Sequence, residues 1–212
     1  MHMEMKLLER KIRGYWYRDG IGEIAGGFIF LLLGTYFGVT EYLGDDSFWG
    51  GLLQAGLIIV LLGLMYIGRR LVHALKTMFV YPRTGFFQYR ENEDIRSHRN
   101  IVAAVVAGLT AAILVAASTI LKLENWTPGL TGVLGALILS FIGRKASSLV
   151  RFLIMGIISI ILGIVLSLVN LPMGYALGLY YGMMGLVFIA SGILVLGAYL
   201  RENPQPVEGS RE

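Results

Sequence analysis

Hydrophobic stretches of similar length recur along the chain, and they limit its fold more than any other feature. Six of them lie at residues 21–40, 51–68, 101–121, 129–143, 149–169 and 174–200. A hydrocarbon core about 30 Å thick takes about 20 helical residues to cross. The stretches are also too apolar around their circumference to be soluble amphipathic helices. The sequence therefore predicts an all-α integral membrane protein with six transmembrane helices, arranged as three helical hairpins.

Composition agrees with a membrane class and excludes several kinds of chemistry. Hydrophobic residues make up 56% of the chain and charged residues 15%, against about 25% charged residues in ordinary soluble domains. The chain has no cysteine, so thiolate metal sites and thiol catalysis are excluded. Its three histidines lack metal-ligand spacing, and no soluble catalytic motif is present. We predict neither a metal nor a cofactor.

The positions of the charges predict the topology. All of the 18 lysines and arginines except Lys122 fall in residues 1–18, in the loop 69–99, around the turn between the fourth and fifth spans, or in the tail. Because cytoplasmic connections carry the excess of Lys and Arg, both termini are predicted to be cytoplasmic, in a prokaryotic inner membrane. Charges placed there favour anionic lipid headgroups over nucleic acid as partners. The predicted parts are a cytoplasmic amphipathic segment 1–18, a six-helix domain 19–201 and a cytoplasmic tail 202–212.

An offset of 129 residues aligns the first predicted hairpin with the last. Five glycine pairs coincide at this offset: Gly27/Gly156, Gly34/Gly163, Gly56/Gly185, Gly63/Gly192 and Gly68/Gly197. One interpretation is that the outer hairpins are a repeat. The other is that glycine-rich membrane helices resemble one another without common structure.

Small residues four apart predict close helix packing, because lipid offers no hydrophobic drive for helices to associate. We expect such ridges at Gly22/Gly26 and Gly34/Gly38 on the first span. The residues predicted to lie in helix contacts are Gly34, Gly108, Gly174, Gly178 and Gly182. The ridges suit either static packing within one bundle, or sliding and self-association.

One acidic residue, Glu23, lies about a turn inside the first span and follows Asp19 closely. Two interpretations are open. In the first, both acids lie at a helix N-terminus, where the helix dipole favours negative charge and nearby arginines neutralise them. Alternatively, Glu23 pairs with an arginine from another cytoplasmic helix end in a polar inner-face site, since a charge inside the bilayer is by default a candidate for function.

The segment "VYPRTGFFQYR" at 80–90 places two arginines and four aromatic residues in a turn between spans. Pro82 ends the preceding basic helix, and Gly85 suits a turn. The loop 69–99 is therefore predicted to be interfacial. It is either a specific site or an anchor with no specific ligand. The candidate binding residues at the cytoplasmic face are Asp19, Glu23, Arg69, Arg70, Tyr81 and Arg83.

Two motifs resemble a known group of proteins. "GYWYRDGIGEIAGG" at 14–27 and "YPRTG" at 81–85 resemble those of an uncharacterised group of small prokaryotic six-span membrane proteins, which implies a shared inner-face feature and no particular activity. "MGIISIILGIVLSLVNLPMG" at 155–174 is similar, in architecture, to acid-resistance membrane proteins built of three hairpins.

We predict a non-catalytic protein, a structural or regulatory partner or sensor subunit that binds a protein or anionic lipid at its cytoplasmic face. The first alternative is a transporter or facilitator for a small neutral or lipid-like molecule. A hydrated cavity ringed by Ser, Thr and Gly would favour it, and a dry, tightly packed centre would count against it. The second is a lipid-modifying enzyme that uses Asp19 or Glu23 with Arg83.

Overall fold

The computed structural model describes residues 19–44, 47–80, 124–145 and 149–203. In these ranges the chain is helical and contains no strand. We number the helices α1 (Ile21–Leu43), α2 (Phe48–Ala55), α3 (Leu57–Phe79), α4 (Thr127–Lys145), α5 (Leu149–Leu168) and α6 (Met173–Glu202), with a 3₁₀ turn at Glu124–Trp126 before α4. The predicted third span, 101–121, lies outside the described residues. So do the N-terminal segment 1–18, the part of the 69–99 loop after Val80, and the last nine residues of the tail.

Three of the described helices are long and apolar enough to cross a membrane, at Ile21–Leu43, Val150–Leu168 and Met173–Glu202, and Thr127–Gly143 is a shorter apolar helix. Large aliphatic side chains point outward from them: Ile161 is 54% exposed, Leu186 59% and Leu194 75%. Continuous apolar surface of this kind is costly in water and is the normal lipid-facing surface of a membrane protein. The helices therefore indicate a protein embedded in a membrane.

The predicted second span, 51–68, has different limits in the structure. It begins earlier, at Phe48, and Gly56 divides it into α2 and α3, because glycine is a weak helix former. The helix then continues beyond the apolar part through Arg69 and Arg70 as far as Phe79. In sequence, Pro82 follows three residues later, and proline cannot continue a helix.

The main packing joins α1 to α6 along their length and α4 to α5, whereas α3 contacts α1 less extensively. Glycines allow the α1–α6 backbones to approach. A Cβ atom added to Gly27 would lie 2.6 Å from the carbonyl oxygen of Gly185, and one added to Gly34 would lie 2.7 Å from that of Gly178. Such close approach supplies the van der Waals contact that holds helices together in lipid.

On α1 the spacing of these contacts is seven residues, not the four that we expected. Gly20, just before α1, meets Gly192, Gly27 meets Gly185, and Gly34 meets Gly178. On α6 the predicted spacing of four does make contacts, since Gly174, Gly178 and Gly182 all lie against α1. By contrast, side chains at Gly22 and Gly38 would meet open space, and one at Gly26 would only touch Phe188, at 4.0 Å. Residues seven apart are displaced by about 20° around a straight helix, so they follow one face more closely than residues four apart.

The other predicted packing residues are placed as follows. The backbone of Gly182 contacts Gly34, and Gly174 lies against the side chain of Glu41. Gly108 is outside the described residues.

The α4–α5 contact is built in a similar way. A Cβ atom at Gly156 would lie 3.4 Å from the Cα atom of Ala136, and one at Gly163 would lie 3.2 Å from the Cα atom of Gly132. Gly156 and Gly163 are the residues that the 129-residue offset aligns with Gly27 and Gly34. Both members of each pair therefore lie at a close helix contact. Gly27 and Gly34 contact α6, whereas Gly156 and Gly163 contact α4, so each contact is with a helix of another predicted hairpin.

Candidate functional site

Two ion pairs and a hydrogen bond join four helices at one end of the bundle. The Lys76 ammonium of α3 lies 2.9 Å from a carboxylate oxygen of Asp19, just before α1. The Arg151 guanidinium of α5 lies 2.6 Å from Glu23 Oε1 on α1, and the Ser191 hydroxyl of α6 donates to Glu23 Oε2 at 2.8 Å. Asp19 is 3% exposed and Glu23 6%. Burial strengthens these contacts and makes the loss of either partner costly.

The start of α1 is shaped to hold the two acids. Gly20 has a φ of 70°, a left-handed conformation that suits glycine, and a side chain there would also collide with Gly192. Asp19 Oδ1 accepts a hydrogen bond of 3.1 Å from the backbone N–H of Ile21, which satisfies one of the free donors of the helix start. Both acids lie at the N-terminus of α1, Asp19 just before the helix and Glu23 in its first turn. Glu23 also contacts an arginine from the end of another helix.

The candidate residues from the sequence are only partly brought together. Arg69 and Arg70 are exposed on α3. The Arg70 Nε donates to the Tyr66 hydroxyl at 3.1 Å, and its guanidinium lies over the Tyr66 ring. Tyr81 and Arg83 are outside the described residues, so their distance from Asp19 and Glu23 is not tested.

The cations that contact the acids, Lys76 and Arg151, were not among our candidates. A sequence signal exists for Arg151, because it is the one charged residue in the 20 residues of α5. An isolated charge at the start of an apolar helix needs a partner.

A cavity of about 460 Å³ lies between α1, α4, α5 and α6. Its wall is mainly apolar, with Glu23 at one end and several hydroxyl groups farther along. The lining residues are Gly20, Gly22, Glu23, Phe30, Leu33, Thr131, Leu134, Gly135, Ile138, Leu139, Ile142, Phe152, Ser159, Tyr180, Tyr181, Met184 and Phe188. An apolar cavity with a few convergent polar groups is the usual form of a small-molecule site.

The hydroxyl groups of the cavity wall are held by bonds between helices. Ser159 of α5 and Tyr180 of α6 lie 2.7 Å apart, oxygen to oxygen. Ser159 donates to the Gly132 carbonyl at 2.9 Å, and Tyr180 lies 3.3 Å from the Thr131 carbonyl. Serine and threonine within helices often bond to a carbonyl group of their own helix. Ser140 does so, with Ala136, whereas Ser159 does not. Nothing in the local sequence separates the two cases.

The opposite end of the bundle has its own polar contacts. Glu41, near the end of α1, accepts a hydrogen bond of 2.9 Å from the backbone N–H of Gly174 at the start of α6. The Ser167 hydroxyl of α5 accepts one of the same length from the N–H of Gly129 on α4. Each contact satisfies a donor that a helix start leaves free. Within the described ranges no group of His, Asp and Glu is arranged to hold a metal ion.

No family model, no curated protein and no solved structure matches this chain.

Proposed function

We propose that this protein binds a lipid-like molecule within the membrane, as a non-catalytic facilitator or receptor. The observation that carries the proposal is the cavity between α1, α4, α5 and α6, because it is apolar along most of its wall and has a carboxylate at one end. That pattern complements an amphiphile, with a hydrocarbon part in the apolar section and a polar end near Glu23.

The state of the carboxylates supports a binding role rather than a catalytic one. A general acid must reach the reacting group with a proton to give, and a cation at contact distance favours the ionised form of a carboxylate, which has no proton to give. Asp19 and Glu23 each contact a cation at 2.9 Å or less. These contacts connect helices and hold the end of the cavity in shape.

The ion pairs also support the six-span topology that forms part of the proposal. They bring the start of α1, the end of α3 and the start of α5 to one end of the bundle. The end of α6 lies there too, since Tyr199 packs against Ile21 and Val80. We propose that this end is cytoplasmic, that both termini lie on that side of a prokaryotic inner membrane, and that the outer hairpins are a repeat. The close contacts at Gly27, Gly156, Gly34 and Gly163 favour the repeat.

A second candidate function is contact with anionic lipid headgroups at the same end. It is favoured by the exposure of Arg69 and Arg70 on α3, beyond its apolar part. Exposed basic residues at a helix end attract anionic headgroups, and each adds about 1 kcal/mol near such a surface. This contact would anchor the bundle, whereas the cavity would hold the ligand.

Photolabelling tests the main proposal. The full chain in nanodiscs is irradiated with dodecanol that carries a diazirine, with and without excess unlabelled dodecanol. We expect saturable labelling, suppressed by the competitor and mapped by mass spectrometry to residues that line the cavity. Labelling that is not saturable, or that falls only on outward-facing residues such as Leu194, would disprove binding in the cavity.

A matched pair of variants makes the test specific. Gly22 and Gly38 lie on the same helix, and a side chain at either would meet open space, but only Gly22 lines the cavity. Gly22→Trp should therefore lower saturable labelling about tenfold or more, while Gly38→Trp keeps it. Equal labelling of the two variants would also contradict the proposal.

A further inference from the structure

The cavity wall has four hydroxyl groups, and those of Thr131, Ser159 and Tyr180 offer acceptors rather than donors, whereas the Tyr181 hydroxyl remains able to donate. The hydroxyls of Ser159 and Tyr180 have two hydrogens between them, and these serve three short oxygen–oxygen contacts: with each other, with Gly132 and with Thr131. The Thr131 hydroxyl donates to the carbonyl of Thr127 at 2.8 Å. These three hydroxyls thus use their hydrogens within the protein and keep lone pairs to accept with.

The Glu23 carboxylate at the end of the cavity is also a hydrogen-bond acceptor. An ionised carboxylate only accepts hydrogen bonds, and it has room for about four. Glu23 receives one contact from Arg151 and one from Ser191, so it can accept others. Glu23 lines the cavity, whereas Arg151 is not among the lining residues. A ligand at this end therefore meets the carboxylate and not the guanidinium.

Charge balance then restricts the ligand further. An anionic headgroup would lie against the carboxylate of Glu23 and be repelled. A cationic headgroup would add a second positive charge to a buried site that Arg151 already neutralises, and burying an unbalanced charge is expensive. An uncharged hydroxyl or amide N–H avoids both costs and still donates to Glu23.

The shape of the cavity restricts the hydrocarbon part. The lining residues of α1 run from Gly20 to Leu33, which corresponds to about 20 Å of helix. A volume of about 460 Å³ drawn out over that length is narrow. It accommodates one extended hydrocarbon chain more readily than a fused ring system or a pair of chains.

Resting on the proposed function, we infer that the ligand is an uncharged single-chain amphiphile, such as a long-chain alcohol or amide, whose polar end donates a hydrogen bond to Glu23. The chain runs from there past Phe30 and Met184 towards the Ser159–Tyr180 pair. Because those two hydroxyls are bonded to each other, they present little unsatisfied polarity to it.

Competition against the diazirine probe in wild-type protein tests the inference without any variant. Dodecanol should displace the probe at concentrations about tenfold lower than dodecanoate, dodecylamine or dodecane. Equal displacement by dodecanoate or dodecylamine would overturn the uncharged headgroup. Equal displacement by dodecane would overturn the hydrogen bond to Glu23, while leaving cavity binding intact. Failure of every compound to displace the probe would instead remove the proposed function itself.

Glu23→Gln tests the role of the carboxylate. This change removes the carboxylate that repels an anion at the end of the cavity, so dodecanoate should become a stronger competitor, by about tenfold. Asp19→Asn is the matched control, because it is the same acid-to-amide change at the same helix end in a residue that does not line the cavity. An unchanged preference in Glu23→Gln, or an equal change in Asp19→Asn, would overturn the inference.

Discussion

At the scale of single residues, the carboxylate of Glu23 connects three helices in the described structure. It belongs to α1, is bound by groups of α5 and α6, and lies at the end of the cavity. It lies in the first turn of α1 but is only 6% exposed, so solvent alone cannot stabilise its charge. Arg151 therefore has a structural role, because it allows the carboxylate to stay charged beside an apolar cavity.

We predict that Arg151→Met destabilises the bundle by about 2 kcal/mol. The change leaves Glu23 without its cation, and the cost is below that of a fully buried pair because the Arg151 side chain is 21% exposed. Equilibrium unfolding in mixed micelles measures the difference.

The double variant Glu23→Leu/Arg151→Met is the control for this prediction. It removes both charges, so most of the lost stability should return. If the double variant loses as much free energy of unfolding as the two single variants lose together, the pair is not coupled and the prediction is wrong.

Glu41 leads to a second prediction at this scale. Its carboxylate accepts the N–H of Gly174, where the partial positive charge of the α6 start adds to the attraction. Glu41→Ala should lower the free energy of unfolding by about 1 kcal/mol, and Glu41→Gln by less, since an amide oxygen can still accept.

Thr35→Ala serves as the comparison for Glu41. The Thr35 hydroxyl bonds to Leu31 of the same helix, so its loss should change stability by no more than about 0.5 kcal/mol. Similar losses in Thr35→Ala and Glu41→Ala would show that the contact between α1 and α6 contributes nothing of its own.

At the scale of helices, the α1–α6 pair depends on glycines spaced by seven. Because the two backbones touch at these positions, any side chain there separates the helices. The α4–α5 pair uses the same principle with Gly163 against Gly132. Since the cavity lies between the two pairs, their separation sets its width.

We predict that Gly34→Ala destabilises the protein by about 1–3 kcal/mol, because the added methyl group would lie 2.7 Å from the carbonyl oxygen of Gly178. Gly38→Ala, one turn later, should be neutral or stabilise the helix by up to about 1 kcal/mol, since its side chain meets open space. Thermal unfolding of the two variants side by side measures the contrast. Equal losses would mean that α1 does not pack on α6 through Gly34.

At the scale of the whole molecule, the predicted topology is testable by labelling, and the absence of native cysteine makes single-cysteine variants unambiguous. Asp45→Cys and Gln205→Cys should react with an impermeant maleimide from opposite sides of the membrane, because an odd number of spans would separate the two positions. Reaction of both from the same side would contradict the six-span arrangement.

Composition along the chain is sufficient to predict where the long apolar helices lie. Apolar length and charge position predict helices at 21–40, 149–169 and 174–200, and the structure has them at Ile21–Leu43, Leu149–Leu168 and Met173–Glu202. These predictions succeed because a helix satisfies its own backbone hydrogen bonds, so its existence depends on local residues alone.

Which helices touch, and with that the site, depends on the tertiary structure. Glu23 could have paired with any of several basic residues at that end of the bundle, and the choice of Arg151 follows from α5 lying near α1. Ser159 and Tyr180 are separated by 21 residues, and they meet against Gly135 of α4, where a Cβ atom would lie 2.7 Å from the Ser159 hydroxyl oxygen and 2.9 Å from that of Tyr180. Pairings of this kind depend on shape complementarity between distant faces, which is not encoded in any single stretch of sequence.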